Sequence, residues 1–583
     1  MKRTLELIII TTLFSLTACI GTDIKVKNQI AFAKAYGYVK YFHPSDEASN
    51  IDWAKFSAYG AKEIENCRSN DQLVKTLNML FNPIAPSVRF IISNEKPEYD
   101  LKSITPGNPA DYRLTYWQHQ GVSLGMKIKS AYKSLRVNRI TGQEGAKIFN
   151  YQPEFGEIIT KKIADGIYCQ IPLVLYCNDK NTYPNADPIL LKNLKTDLDK
   201  FDYNQEELPL RLGNVINVYN VFQHFYPYFD VIGIKWDDEL EKALLRCYSD
   251  KTPKDHLVTL QKFTAPLRDG HCYVACSTLR FYAPPISWEW VENKLVITNL
   301  YKTIPNLQRG DVVTLIDGIT PEKYFEEVNS LISAGTQSRL NYVADRVSLA
   351  GDMGSRLRLT IKDKPIDVIR GEVNYSLSKE KPRYKKIEEG IWYLNIDRIE
   401  MDTINKLLPT LEKCKAIICD ARGYVKNNHD FITHLMKSDD TTTSWMQVPQ
   451  IIYPDQEKIT GYAKFNWISG MKAKKPYLGD KKVVYIIDGS SISYAESCMG
   501  YIEGYKLATI VGQPTAGTNG NVNPFDLPGG YTIGWTGMKV LKHNGSQHHA
   551  IGIKPDIYVS KTIQGIKEGR DEFLEKAIEI AKQ

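Results

Sequence analysis

Two residues in this 583-residue chain have the types and settings that nucleophilic catalysis needs. The first is Ser493, in "VVYIIDGSSISYAESCMG" (483–500), which reads as a short apolar strand, a turn of small residues and a helix start. A serine there stands at a helix N-terminus, where N–H groups lacking intrahelical acceptors and the helix dipole favour developing negative charge. Its hydroxyl is a poor nucleophile at neutral pH and needs a base. The second is His271, in "LRDGHCYV" (267–274), directly after an Asp-Gly turn signal. A neutral imidazole is such a base. The same local pattern also fits an architectural role: Ser-Tyr-Ala-Glu matches a capping box, with Ser493 as N-cap and Glu496 at the third helical position.

His271 closes the second copy of an internal repeat. A shift of 183 residues aligns "YGYVKYFHPSDEASNIDW" (36–53) with "YNVFQHFYPYFDVIGIKW" (219–236), pairing Tyr36 with Tyr219, Phe42 with Phe225, Pro44 with Pro227 and Trp53 with Trp236. Pro83 and Pro266 pair under the same shift. Each copy reads as a helix, a Pro-containing turn and two more helices, and the apolar faces they expose can be buried against neighbouring elements. The first copy ends "NPIAPSVRF"; only the second adds Asp-Gly-His, which packing does not require. The copies are placed at 19–99 and 206–280. Between them, 100–205 is a β-rich module with alternating runs such as "RLTYWQHQGVSLGMKI", in which Trp117 and His119 read as strand-face residues.

Two further textures follow. Within 281–370, "IPNLQRGDVVTLIDGITPEKYFEEV" resembles a PDZ domain through Gly310, Asp311, Val312, Val313, Ile316 and Gly318. Such domains bind extended peptide termini by strand addition. From 371 to 583, "GIWYLNI", "AIICDAR", "KVVYIID" and "LATIVG" read as buried strands alternating with helices, an α/β domain.

The order strand, "DGSSISYAES", helix, "LATIVGQPTAGTNG", hairpin and "GIKPDI" resembles the serine peptidases of the C-terminal processing protease and tricorn family. The resemblance implies a multidomain α+β protein: a repeated helical module with a β-rich insert, a PDZ-like domain and a C-terminal α/β peptidase core. It implies Ser493 as nucleophile. Processing proteases activate that serine with a downstream lysine; here the place is Thr518, and no lysine lies between Lys506 and Lys539. The tricorn-like branch takes a histidine from the preceding helical module in a Leu-x-Asp-x-His context, matched by Leu267, Asp269 and His271. His271 would take the serine proton and return it to the leaving amine. The Tyr494 N–H is the expected first oxyanion donor. Gly423, in "CDARGYVKNN", stands near the family's second, although that stretch lacks the family's Asn-Gly-Gly. The family's supporting glutamate falls near His549 in "GSQHHAIGIKPD", so Gln547, His549 and Asp269 all stay open as the residue orienting His271.

Composition bounds the rest. Hydrophobic residues at 43% and charged ones at 24% exclude a disordered or collagenous chain. The net charge of +7 carries no Lys/Arg block, so nucleic acid is not an expected partner. "MKRTLELIIITTLFSLTACIG" reads as a signal peptide, 1–18, and Leu16-Thr17-Ala18-Cys19 resembles a lipobox, which implies a lipid-modified Cys19. The chain would then be a membrane-anchored lipoprotein of the cell envelope, outside the cytoplasm. Nine further cysteines include no Cys-x-x-Cys pair. Neighbouring His548 and His549 in a strand would point to opposite faces, so neither a metal nor a cofactor is expected. The expected function is a secreted, lipid-anchored serine endopeptidase acting on proteins or peptides. The alternative is a non-catalytic peptide-binding surface lipoprotein on a degenerate peptidase scaffold.

Overall fold

The computed structural model describes residues 23–125, 131–138, 147–202, 207–373, 381–441, 445–465 and 470–583. The signal peptide at 1–18 and the lipid site at Cys19 lie outside the described residues. No helix among those described is long and apolar enough to cross a membrane.

Two sets of helices come first. One set is α1 (23–42), α2 (Trp53–Ile64) and α3 (Asn70–Phe81); the other is α4 (Glu207–Phe225), α5 (Trp236–Ser249) and α6 (Pro253–Thr264). The 183-residue shift carries the end of α1 onto that of α4 and the starts of α2 and α3 onto those of α5 and α6. The starts agree for local reasons: Ser69 and Thr252 are equivalent and both accept a capping hydrogen bond, and Pro253 follows at the first helical position. The sets meet at equivalent positions, Gly37 and Asn220. A Cβ on Gly37 would lie 1.7 Å from Asn220 Oδ1, so that crossing needs glycine. Phe32, Phe56 and Phe81 share one core with Phe222, Trp236 and Phe263.

The strand Arg113–Gln120 pairs with Lys133–Asn138 on one side and with Met446–Ile451 on the other. Segment 100–205 is therefore split: part of it shares a seven-stranded sheet with the C-terminal region, while Ile158–Ala164 and Ile167–Pro172 form a separate three-stranded sheet with Arg89–Ile92. Trp117 Nε1 donates to His43 O and His119 Nε2 lies 2.7 Å from Tyr41 O, which ties this sheet to the end of α1.

After α6 the chain enters β1 (Tyr273–Cys276). Residues 281–370 then form two three-stranded sheets and two helices around their own core of Trp288, Phe325, Leu357 and Leu359. The C-terminal region contributes β2 (Tyr384–Glu388), β3 (Ile391–Asn395), β4 (Ala416–Asp420), β5 (Lys482–Ile487), β6 (Thr509–Gly512), β7 (Tyr531–Gly534) and β8 (Ile557–Tyr558). All but β7 build one sheet in the order β2-β3-β4-β5-β6-β8, parallel except for β2. Its continuous apolar runs are what a sheet covered on both faces requires. The helix α7 (Tyr494–Gly504) follows β5, and α8 (Glu572–Ala581) ends the fold.

Candidate active site

Ser493 sits between the carboxyl end of β5 and the first turn of α7. Its backbone is at φ 59°, ψ −116°, a left-handed conformation that a residue with a side chain avoids. Holding it there costs about 1–3 kcal/mol, and such turns lift a nucleophile clear of the sheet. Neighbours hold the turn: Ser491 Oγ donates to Ala421 O at 2.7 Å, and Ser493 N donates to Thr518 O at 2.9 Å.

The capping-box expectation fails here. Ser493 makes no side-chain cap hydrogen bond. Glu496, fully buried, turns instead to the 515–518 loop, accepting from Thr515 Oγ1, Gly517 N (2.8 Å) and Thr518 N (2.9 Å). Burial pushes the Glu496 pKa up, but His548, 3.4 Å away, and these donors hold it below the usual carboxylate value. The glutamate thus fixes the loop beside the serine while leaving the serine hydroxyl uncommitted.

His271 reaches this site by strand pairing. In the antiparallel β1–β7 ladder, Tyr273 faces Gly534 and Val274 faces Ile533. Continuing that register by two residues sets His271 opposite Thr536. The turn before it docks on Thr518, whose Oγ1 accepts from Gly270 N at 2.8 Å. A Cβ on Gly270 would lie 3.2 Å from Ile492 Cδ1. Thr518, at the place where the resemblance puts a lysine, therefore touches both the serine turn and the histidine turn.

A hydroxyl holds the imidazole, and a carboxylate holds that hydroxyl. Fully buried Asp269 accepts from three donors: His271 N (3.0 Å), Thr536 N (2.7 Å) and Thr536 Oγ1 (2.9 Å). Thr536 spends its one hydroxyl proton on Asp269, so its oxygen is left to accept from His271 Nδ1–H, 3.0 Å away. That fixes the tautomer with a lone pair on Nε2, the form a general base needs. Burial lowers the His271 pKa, opposed by the charges of Asp269 and Glu496, so the ring is neutral at neutral pH. Among the described residues no hydrogen bond joins Nε2 to Ser493 Oγ; free sites of this kind tighten when substrate binds.

Of the three residues left open for orienting His271, only Asp269 bonds to it. Gln547 Nε2 donates to His549 O within its own turn. His549 stacks on Tyr228, ring centroids 3.7 Å apart and planes 9° apart, and burial pushes its pKa down to about 4. Both are corrections: counting back from Pro-Asp locates the turn but not the direction of its side chains. Tyr494, as the first residue of α7, points its N–H out of the helix end. Gly423, at φ 135°, lies in a loop that touches the serine turn through the Ser491–Ala421 bond and through the Tyr424 and Tyr494 rings, 5.9 Å apart. Thr536 and the bridging role of Thr518 were missed in the sequence, because both depend on pairings between distant segments.

Residues 390–559 match the family model described as Peptidase family S41. They form an S41 peptidase domain. Over 270 residues the chain is 24% identical to the carboxy-terminal-processing protease of Bartonella bacilliformis, an alignment spanning 45% of this chain and 56% of that protein. The chain thus spans a little over half the length of that curated relative. Among solved structures, mature CPAF complexed with lactacystin superposes with a TM-score of 0.53 at 13% identity, covering 65% of this chain and 98% of CPAF, a likeness of fold. The S41 domain supplies Ser493, Glu496, Thr518, Thr536 and Gly423; His271 and Asp269 come from outside it.

Between the S41 domain and the 281–370 unit runs a cleft of 1640 Å³, lined by Arg268, Trp288, Trp290, Tyr342, Asp488 and Ala550 among others. Ser493 and His271 are not in its lining. It borders their supports, because Arg268 precedes Asp269 and Ala550 N donates to Gly517 O at 2.9 Å. The nine cysteines of the described residues are all buried, free thiols.

Proposed function

We propose that this protein is a serine endopeptidase acting on proteins or peptides, with Ser493 as nucleophile and His271 as general base. The observation that supports it is that Thr518 bonds both the turn of a strained serine, whose hydroxyl makes no hydrogen bond among the described residues, and the turn before a histidine whose Nδ1 is tied through Thr536 to buried Asp269. Ser493 Oγ attacks the peptide carbonyl as His271 Nε2 takes its proton, forming a tetrahedral intermediate. The N–H groups of Tyr494 and Gly423 receive its oxyanion. The imidazolium, steadied by Asp269 through Thr536, gives the proton to the leaving amine. Water then hydrolyses the acyl-enzyme with His271 again as base.

The 281–370 unit, read as PDZ-like, would add an extended peptide to a strand edge and feed it along the cleft. The lipobox reading of Cys19 supports an envelope lipoprotein, anchored without a transmembrane helix. A fluorophosphonate probe tests the chemistry: wild type labels, whereas Ser493→Ala does not and His271→Ala labels far more slowly. Equal labelling of wild type and Ser493→Ala removes the hydrolase reading and leaves a peptide-binding scaffold. Loss of membrane partitioning in Cys19→Ala tests the anchor.

A further inference from the structure

The second helical copy buries three residues whose donor atoms converge where the first copy has none. Cys247 lies in the last turn of α5, Asp250 caps that helix, and His256 lies near the start of α6. They are 0%, 9% and 1% exposed, and their ligand atoms all lie within 4.8 Å of one another. Asp250 Oδ2 and His256 Nδ1 are buried without hydrogen-bond partners and face each other at 3.5 Å. A tetrahedral ion holding an oxygen and a nitrogen at ordinary bond lengths keeps them about 3.4 Å apart.

The repeat supplies an internal control. The 183-residue shift maps Cys247, Asp250 and His256 onto Ile64, Cys67 and Leu73, which are 0%, 6% and 3% exposed. The same helix corner therefore packs without a carboxylate or an imidazole. Burying those groups is unfavourable unless something compensates them; the long Asp250–His256 approach of 3.5 Å does so only in part, so the second copy carries a polar cluster that the corner does not need for packing.

We propose that Cys247, Asp250 and His256 form a structural site for a zinc-type divalent cation. A thiolate, an imidazole and a carboxylate select zinc over magnesium or calcium, which favour all-oxygen sets. Three protein ligands leave a fourth position for an oxygen donor. One outer partner of the kind ligand sites use is in place: Thr259 Oγ1 donates to the other oxygen of Asp250 at 3.0 Å, while the Asn214 amide nitrogen lies 3.3 Å from His256 Nε2. Asn214 Nδ2 also donates to Pro528 O at 3.0 Å, so a metal on Nδ1, which needs a proton on Nε2, would displace the amide from that ring nitrogen. The site lies under the hairpin carrying β7. The His256 ring meets Tyr531 edge-on at 5.1 Å, and Tyr531 OH donates to Pro253 O at 2.9 Å. The ion would pin the α5–α6 corner against the hairpin that also holds Thr536.

The test uses the full chain, stripped with a chelator and then given zinc chloride or cobalt chloride alone. Wild type is expected to keep one zinc per chain through desalting while retaining no magnesium, and its cobalt form to show a thiolate charge-transfer band. Cys247→Ala loses that band, and Cys247→Ala and His256→Leu each bind zinc at least about tenfold more weakly. His256→Leu carries the residue the first copy uses there, so without metal it melts no lower than metal-free wild type. Wild type that keeps no zinc, variants that keep as much as wild type, or a metal-free His256→Leu that melts well below wild type would each overturn the proposal.

Discussion

Replacing Thr536 with valine tests the histidine's support at the cost of one oxygen. The methyl groups fill nearly the same space, and the backbone N–H at 536 still donates to Asp269 Oδ2. Asp269 keeps two of its three donors, so the domain should fold with a loss of about 1–3 kcal/mol. The link from His271 Nδ1 through Oγ1 to Asp269 Oδ1, 3.0 and 2.9 Å long, disappears. A hydrogen bond to a charged group is worth about 1.5–3 kcal/mol. If that energy is felt mainly by the imidazolium of the transition state, kcat/KM falls by about 10–150-fold, at 1.36 kcal/mol per factor of ten. The assay is the second-order rate of fluorophosphonate labelling and of peptide hydrolysis, each followed against pH, with Thr536→Ser as the variant that restores the hydroxyl. Thr536→Val labelling at the wild-type rate would refute the reasoning. So would Thr536→Ser failing as badly as valine, since packing rather than the hydroxyl would then be at stake.

In Gly423→Ala the new Cβ would lie 2.7 Å from Asp397 Cγ at a φ that disfavours any side chain, so kcat should fall by about 10²-fold with KM little changed if this N–H receives the oxyanion; a rise in KM alone would exclude that role. Arg422 donates to Asp420 at 2.8 and 2.7 Å and to Asp571 at the same distances, and Arg422→Ala should cost about 3 kcal/mol in a neutral-pH melt. Burial opposes it, but Arg422 holds the Asp571 carboxyl down at about 2, so this contribution is present above about pH 4 and fades towards pH 2; the deficit of the variant should shrink over that window. Burial pushes His43 down to about 3 and His119, His224 and His549 to about 4. The unfolded chain, with histidines near 6.5, takes up those protons first, so stability is complete above about pH 6.5 and declines as pH falls towards 4. A melting temperature that stays flat from pH 6.5 to about 5 would contradict this.

What the sequence made legible was local. Four of the five parallel strands announce themselves by apolar runs of the right length, and the helix starts of the repeat by Ser69, Thr252 and Pro253. Ser493 stood out too, but its local pattern alone left the role to the family resemblance, because Ser-x-x-Glu describes a capping box and a nucleophile turn equally well. Partners 19 to 22 residues beyond Glu496 take its carboxylate out of the capping box, and nothing near the serine signals those. Thr536 was invisible for the same reason: it matters only because β1 and β7 pair in one register across 265 residues. The pairing of Arg113–Gln120 with Met446–Ile451 is longer still, and alternating strands look alike whichever partner they find.

The β1–β7 pairing also sets a clock. The ribosome makes the Asp-Gly-His segment first, the serine turn 222 residues later and Thr536 265 residues after His271. At about 5–20 residues per second, tens of seconds separate the first of these from the last. Through that interval the emerging chain holds a histidine with nothing to fix its tautomer and then a serine with no base. On the proposed assignment, a nascent chain that stalls before the hairpin lacks Thr536 and with it the link that fixes the His271 tautomer.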